Sequence, residues 1–291
     1  MKNNFQILVI SLLTLFVSCK KTEKVLVDDP QQGAITIAAD ESFRSVSEAL
    51  TQRYMALNPK TKINLVIKKE DLAFLDLLEN KVRVIVMSRE LSDEEKQAYK
   101  NKIDMDLLPA KFAADAVVFV VSKNSVRESI SISEIDKELN SENKNIIFDG
   151  TNSSNLNFVA QKLNKKPSAL KFSIINGNRN IIDEINKHPE KIGAISLNTI
   201  SRPYDKESQD LRNSIKIIPV IQNQKPVMPE LANIRNMNYP FTRFLYFITN
   251  EAYYGLGNGL IRFSCQQLGQ IVVQKEGLQP YYIFKREVQM R

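Results

Sequence analysis

The sequence predicts an α/β fold in which helices flank a mainly parallel sheet. Short apolar runs of strand length recur from Ile35 to Thr249, and stretches with helical spacing of apolar residues separate them. Two capping-box patterns, Ser92-Asp93-Glu94-Glu95 and Ser131-Ile132-Ser133-Glu134, mark helix starts between those runs. The 291 residues leave room for two compact units.

Ile35–Ala39 reads as the first strand, and Asp40-Glu41-Ser42 interrupts it. Phe43, Val46, Leu50, Tyr54 and Leu57 follow at helical spacing, up to Asn58-Pro59. Ile63–Ile67 is a strand, Leu72–Leu78 a short helix, and Val82–Met87 a third strand running into Ser88-Arg89. Asp115 opens the strongest strand pattern, Ala116–Val121. Further helices are expected over Ile135–Leu139, Leu156–Leu163 and Ile181–Asn186, and strands over Ile146–Phe148, Ile192–Leu197, Ile215–Ile221 and Arg243–Thr249. Leu260–Val273 reads as one long amphipathic helix, ended near Gly277 and preceded by a flexible Gly-rich segment, Gly255–Gly259. No internal repeat or low-complexity tract is present.

Composition narrows the function classes. A 43% hydrophobic and 25% charged chain is ordinary for a folded body. One histidine, His188, excludes a His-rich zinc site and leaves no catalytic pairing for a hydrolase, so neither catalytic residues, metal ligands nor a cofactor are expected. Forty Lys+Arg against 33 Asp+Glu give a net charge of +7, which suits an anionic ligand or surface. The basic pairs Lys68-Lys69 and Lys165-Lys166 lack interleaved aromatics and read as solvated faces, so no nucleic-acid partner is expected.

The N-terminus carries a targeting pattern. Met1–Asn4 is a short n-region, and Phe5–Val17 is an apolar core too short to span a bilayer comfortably. Phe16-Val17-Ser18-Cys19 resembles a bacterial lipobox, with Phe16 in place of the usual Leu. The resemblance implies a signal peptide over residues 1–18, acylation of Cys19 and a polar tether over residues 19–32. Cys265, the other cysteine, then has no intramolecular partner and reads as a buried small hydrophobe.

Three strand-to-helix junctions could hold an anion: Asp40-Glu41-Ser42, Ser88-Arg89, and Asn152-Ser153-Ser154-Asn155. Each places hydroxyls or amides beside the unpaired N–H groups of a helix start, where the helix dipole favours negative charge. Arg89 adds a planar cationic fork, although Glu90 or Glu94 could equally pair with it at the surface. Ser, Asp and Asn are also the commonest helix caps.

Several segments together resemble the PstS-like phosphate-binding-protein family, in its divergent lipoprotein form. They are Ala34–Phe43, Val82–Leu91 with Glu94-Glu95, Asp115–Val121, Ile192–Ser196, Tyr239–Tyr246, and Gly269–Val272 with Gly277 and Pro280. The resemblance implies a two-lobed periplasmic-binding-protein fold (type II) with two crossover strands, closing over one oxyanion. It places one lobe at residues 33–115 plus 239–291, the other at 116–238, and the crossings near Asp115 and Tyr239. It further implies an envelope protein, monomeric and lipid-anchored, that captures phosphate for an ABC permease in the membrane. The implied contacts are Ser42, Arg89 and Ser153, then Ser154 and Asn155, with Asp40, Glu41 or Asp149 as acceptors for a proton that phosphate carries and sulfate lacks. Two departures stand out. Ser153-Ser154-Asn155 replaces the family's Ser-Gly-Thr turn, with Asp149 where a cation is expected, and Lys69-Glu70-Asp71 replaces a Gly-Ser-rich turn. These departures motivate a second reading, a lipoprotein that kept the fold, lost the anion site and serves as an interaction scaffold.

Overall fold

The computed structural model describes residues 28–284; the signal-peptide and lipobox expectations, Cys19 included, lie outside that span. In chain order the elements are β1 (Gln32–Ala39), α1 (Arg44–Leu57), β2 (Lys60–Ile67), α2 (Glu70–Leu78), β3 (Val84–Met87), α3 (Asp93–Ile103) and β4 (Ala110–Ser122). Then come β5 (Ile130–Ser131), α4 (Ile132–Glu138), β6 (Ile146–Phe148), α5 (Ser154–Lys162), β7 (Ser173–Ile174), α6 (Asn178–Lys187), β8 (Ile192–Ser196), α7 (Lys206–Ser214), β9 (Ile215–Ile217), β10 (Val220–Gln222) and β11 (Lys225–Val227). The chain continues through α8 (Leu231–Arg235), β12 (Thr242–Thr249), α9 (Leu256–Cys265), α10 (Gln267–Lys275) and β13 (Gln279–Pro280).

The main sheet runs β2-β1-β3-β12-β4-β8-β6-β7. Strands β1, β2 and β3 are parallel to one another, as are β6, β7 and β8. Strands β12 and β4 run antiparallel between these two parallel sets. The first half of β4 pairs with β12 and its second half with β8 and β9, so one strand serves two lobes. This is the two-lobed α/β architecture that the alternating pattern and the family segments imply.

Side-chain alternation explains how each sheet holds its helices. On β3, Val84 and Val86 join the core beneath α1 and α9, whereas Ile85 and Met87 join the core beneath α2 and α3. The period of two sends successive residues to opposite faces, so a sheet covered on both sides needs an unbroken apolar run. The other lobe packs around a single core that includes Val118, Phe148, Ile181 and Ile195.

Four expectations need correction. Asp115 does not open β4 but lies inside it, because Arg243 and Ser196 satisfy its carboxylate there. Ile215–Ile221 is two strands, β9 and β10, which pair with different partners. Pro219 lies between them and brings no N–H to a ladder. The expected long helix is two, α9 and α10, separated at Gln266 by extended backbone (ψ 170°). The Gly255–Gly259 segment is also ordered differently: most of it is the opening of α9, and the Glu251 carboxylate accepts from the N–H groups of Gly257 and Asn258. Both predicted capping boxes form, at Ser92/Glu95 and Ser131/Glu134.

Candidate functional site

The carboxyl ends of the parallel strands of both lobes meet at one seam. Asp40 follows β1, Ser88 follows β3, Asp149 follows β6, and Ser196 ends β8. Open α/β sheets present ligand-binding residues at such strand ends, where helices begin. Here the seam is polar and closed: Asp40, Asp149, Ser153, Ser154 and Asn155 are all 0% exposed.

Asp40 sits at its centre. One carboxylate oxygen accepts from the backbone N–H of Ser42 (3.0 Å) and the hydroxyl of Ser154 (3.0 Å). The other accepts from the backbone N–H of Glu70 (3.2 Å) and of Ser154 (3.2 Å). Ser42 lies in the tight turn leading into α1, Glu70 begins α2, and Ser154 begins α5. Three helix starts therefore aim N–H groups at one carboxylate, two from the first lobe and one from the second.

Arg243 supplies the buried cation beside this point. Its Nε donates to Asp115 (2.9 Å), Nη2 to Asn155 Oδ1 (2.8 Å) and Nη1 to the Ser88 hydroxyl (3.4 Å). Its guanidinium carbon lies 4.7 Å from the centroid of the Phe43 ring. Asp115 also accepts from the Ser196 hydroxyl (2.8 Å) and the Asn198 N–H (3.1 Å), so every nitrogen and oxygen of the buried pair has a partner. From Arg243 the network runs through Asn155, whose amide donates to Asn178 (3.0 Å), and Asn178 donates to the Ser42 hydroxyl (3.2 Å).

The acidic side chains outnumber the cations. Glu70 accepts from both the N–H (2.7 Å) and the hydroxyl (2.8 Å) of Ser88. Burial raises its pKa above the usual carboxylate range; Arg89 opposes that rise and Asp40 adds to it. Burial likewise raises the pKa of Asp149, again with Asp40 adding to it, although Lys69 reaches across the seam to 2.9 Å. Lys69, read from sequence as part of a solvated face, is thus a cross-lobe partner.

The expected site residues divide into two groups. Asp40, Ser42, Ser154 and Asn155 come together in the seam. Ser153 is beside them as the cap of α5: its hydroxyl accepts from Leu156 N–H (3.5 Å) and donates to the Gly150 carbonyl (3.0 Å). Glu41 stands apart on the partly exposed side, paired with Arg44 at 2.8 Å. Arg89 makes no hydrogen bond to Asp40 among the described residues and sits in an acidic clamp, bonded to both oxygens of Glu95 (2.7 Å each) and to Asp71 (2.8 Å). Burial works against its charge, but Glu95, Glu70 and Asp71 outweigh it and hold the guanidinium pKa above its usual value. It lines a cleft of about 630 Å³ with Asn157, Gln161 and Lys165. Glu95, not Glu90 or Glu94, provides its carboxylate partner on α3.

Sequence reading passed over Arg243, Asp115, Glu70, Lys69, Asn178 and Asn198 as site residues, while Ser88 was read as part of the Ser88-Arg89 junction. For two of them a signal existed: Asp115 and Arg243 are each a lone charge in an apolar strand run, and such charges are buried only when paired. Cys265 is partly buried with its thiol pKa pushed up to about 11 by burial, consistent with an unreactive packing residue. Among the described residues no group of acidic, His and Cys side chains could hold a metal ion, and no helix is long and apolar enough to cross a membrane.

Comparison with known proteins adds the following. A family model described as a PBP superfamily domain matches residues 27–267. The phosphate-binding protein PstS of Borreliella burgdorferi is 22% identical over 293 residues, covering 93% of this chain and 96% of the relative. A structure from Clostridium perfringens, described as a phosphate ABC transporter substrate-binding protein with bound phosphate, superposes with a TM-score of 0.70. It is 19% identical and covers 86% of this chain and 100% of its own. An ABC-type phosphate transport receptor of Vibrio cholerae gives 0.66 at 16% identity, covering 85% and 100%.

Proposed function

The chain belongs to the PBP superfamily, whose phosphate-transport members it resembles in sequence and in fold, and from that premise we propose that it captures phosphate between its lobes and delivers it to an ABC permease. These relatives are substrate-binding proteins, not enzymes, and this chain is of that kind.

The observation that carries the proposal is the convergence of N–H groups at Ser42, Glu70 and Ser154 on one point between the lobes, next to buried Arg243. A tetrahedral oxyanion asks for that set of donors. In this reading Ser42 and the Glu70 N–H serve from the first lobe, and Ser154 and Asn155 from the second. Ser153 keeps the α5 start in shape, and Arg243 supplies positive charge from a crossing strand. Arg89, its charge taken up by the acidic clamp of Glu95, Asp71 and Glu70, holds α2 and α3 together beside the cleft rather than contacting the anion. The lobes divide at the crossings near Asp115 and Tyr239, giving residues 33–115 with 239–291 and residues 116–238, and they open and shut about those strands. The carboxyls in the seam favour an anion that carries a proton, hence phosphate over sulfate.

Anchoring through a lipid on Cys19, facing the periplasm, belongs to the same proposal. Its support is the lipobox-like Phe16-Val17-Ser18-Cys19 and the short polar stretch between it and the folded body. Labelling with an alkyne fatty acid should mark the wild-type protein and leave Cys19→Ala unmarked.

Calorimetry on the soluble body beginning after Cys19 tests the ligand. Phosphate should bind with micromolar or tighter affinity, sulfate should give little heat, and Asn155→Ala should weaken phosphate binding. Absence of heat from phosphate at millimolar concentration would refute the reading and favour a scaffold role.

A further inference from the structure

We propose that the Asp40 carboxylate is a tethered anion: it occupies the place that phosphate must take and latches the two lobes together. The phosphate half of this statement rests on the function proposed above; the latch half does not.

A free carboxylate has about four lone-pair sites for hydrogen bonds. Asp40 uses all four, two on each oxygen, at 3.0–3.2 Å. Only one of these bonds, from Ser42 N–H, is the ordinary local cap of the turn that follows β1. The other three come from far along the chain, and two of them, from the N–H and the hydroxyl of Ser154, cross the seam. Capping alone does not call for them. The carboxylate is also fully buried, so it is as well coordinated as a bound anion would be.

An N–H aimed at Asp40 cannot serve a phosphate oxygen at the same time. Phosphate entering with Asp40 in place would also add charge beside Glu70 and Asp149, whose acidity Asp40 already weakens. Binding therefore requires Asp40 to swing out of the ring of donors. The neighbourhood has a spare donor for the exchange. The Asn198 side-chain amide is buried and its nitrogen has no partner among the described residues. With Ser42 and Asn178 it lines a cavity of about 280 Å³. Asp40 thus sets a threshold, because phosphate must compete with an anion that is always present at high effective concentration.

Asp40→Ser separates latch from cap. Serine still caps Ser42 N–H but is too short to reach Ser154. In phosphate-free buffer, small-angle X-ray scattering of the Asp40→Ser protein should give a larger radius of gyration than wild type. Ser154→Ala, altered from the opposite lobe, should shift it in the same direction by less. Calorimetry should show phosphate binding to Asp40→Ser about tenfold or more tighter, the latched population no longer being subtracted from the competent one. Circular dichroism melting of both variants verifies folding, and Asp40→Asn, which keeps the shape and loses the charge, provides a second folded variant with the same expected changes. An unchanged radius of gyration in all three folded variants would overturn the latch. Weaker phosphate binding by Asp40→Ser would overturn the competition and make Asp40 a ligand contact instead. Failure of phosphate to bind any variant would refute the proposed function, while the scattering result would still decide the latch.

Discussion

Arg243 and Asp115 are register partners on the adjacent antiparallel strands β12 and β4, their charged groups 2.8 Å apart and both side chains fully out of solvent. The pair lies where the two lobes share strands, and it bonds outward to Ser88 on one side and Asn155 on the other.

Removing one member leaves the other charged and unpaired in a dry place. Arg243→Met is therefore expected to cost about 3–5 kcal/mol of folding stability. Arg243→Lys should recover only part of this, since an ammonium cannot reproduce a fork that reaches Asp115, Asn155 and Ser88 together. Urea denaturation midpoints of the three proteins measure both statements. Equal midpoints would mean that the pair is not what holds this crossing.

Glu70 gives a pH dependence with a definite sign. Its folded pKa is raised by burial, so the folded protein binds its proton more tightly than the unfolded chain does. Its contribution is complete below the unfolded value of roughly 4.3 and is lost as pH rises through the higher folded value. Glu70→Gln imitates the protonated form. Its stability relative to wild type should therefore improve as pH rises above about 4 and level off once the folded value is passed, by urea denaturation at each pH. A difference that stayed flat, or ran the other way, would show that the carboxyl is not raised.

The Lys69–Asp149 pair crosses the seam, so its loss should be felt as both instability and opening. Lys69→Met leaves Asp149 buried against the field of Asp40 and should cost on the order of 1–3 kcal/mol at pH 7. The loss should shrink near pH 4, where Asp149 can take a proton. The double variant Lys69→Met/Asp149→Asn should recover most of it, giving a coupling energy in a double-mutant cycle. Additive losses would deny the coupling.

Gly269 tests the break between α9 and α10. A Cβ there would lie 2.3 Å from the Phe263 carbonyl oxygen and 2.5 Å from Ser264 Cα, both backbone atoms that cannot turn aside. Gly269→Ala is expected to destabilise by roughly 1–3 kcal/mol, although alanine is the better helix former. A stabilised variant in thermal melting would mean that the two helices can merge into one.

What sequence reveals here follows the range of the forces involved. Apolar periodicity and helix caps are local, so β1, β3, α3 and α4 are readable from a few consecutive residues. The family segments add the two-lobed arrangement. The seam depends on pairings between residues far apart in the chain, such as Asp40 with Ser154 or Arg243 with Asp115, and no local pattern states them. Arg89 shows the converse. Its position after β3 beside a serine suggested an anion contact, but three acids from α2 and α3 turn it aside. Lys69 looked like one half of a surface pair because the acid that needs it lies on β6–α5 of the other lobe. Leu260–Val273 misled for another reason: the amphipathic period persists across Gln266, while the close packing of Gly269 that accompanies the break is invisible to periodicity.

The most direct test is a crystal structure of the protein soaked in phosphate. The account predicts a tetrahedral anion at the N–H groups of Ser42, Glu70 and Ser154, near Arg243, with the Asp40 carboxylate rotated out of that position. Electron density showing Asp40 still bonded to Ser154, and phosphate either absent or bound elsewhere on the molecule, would contradict it.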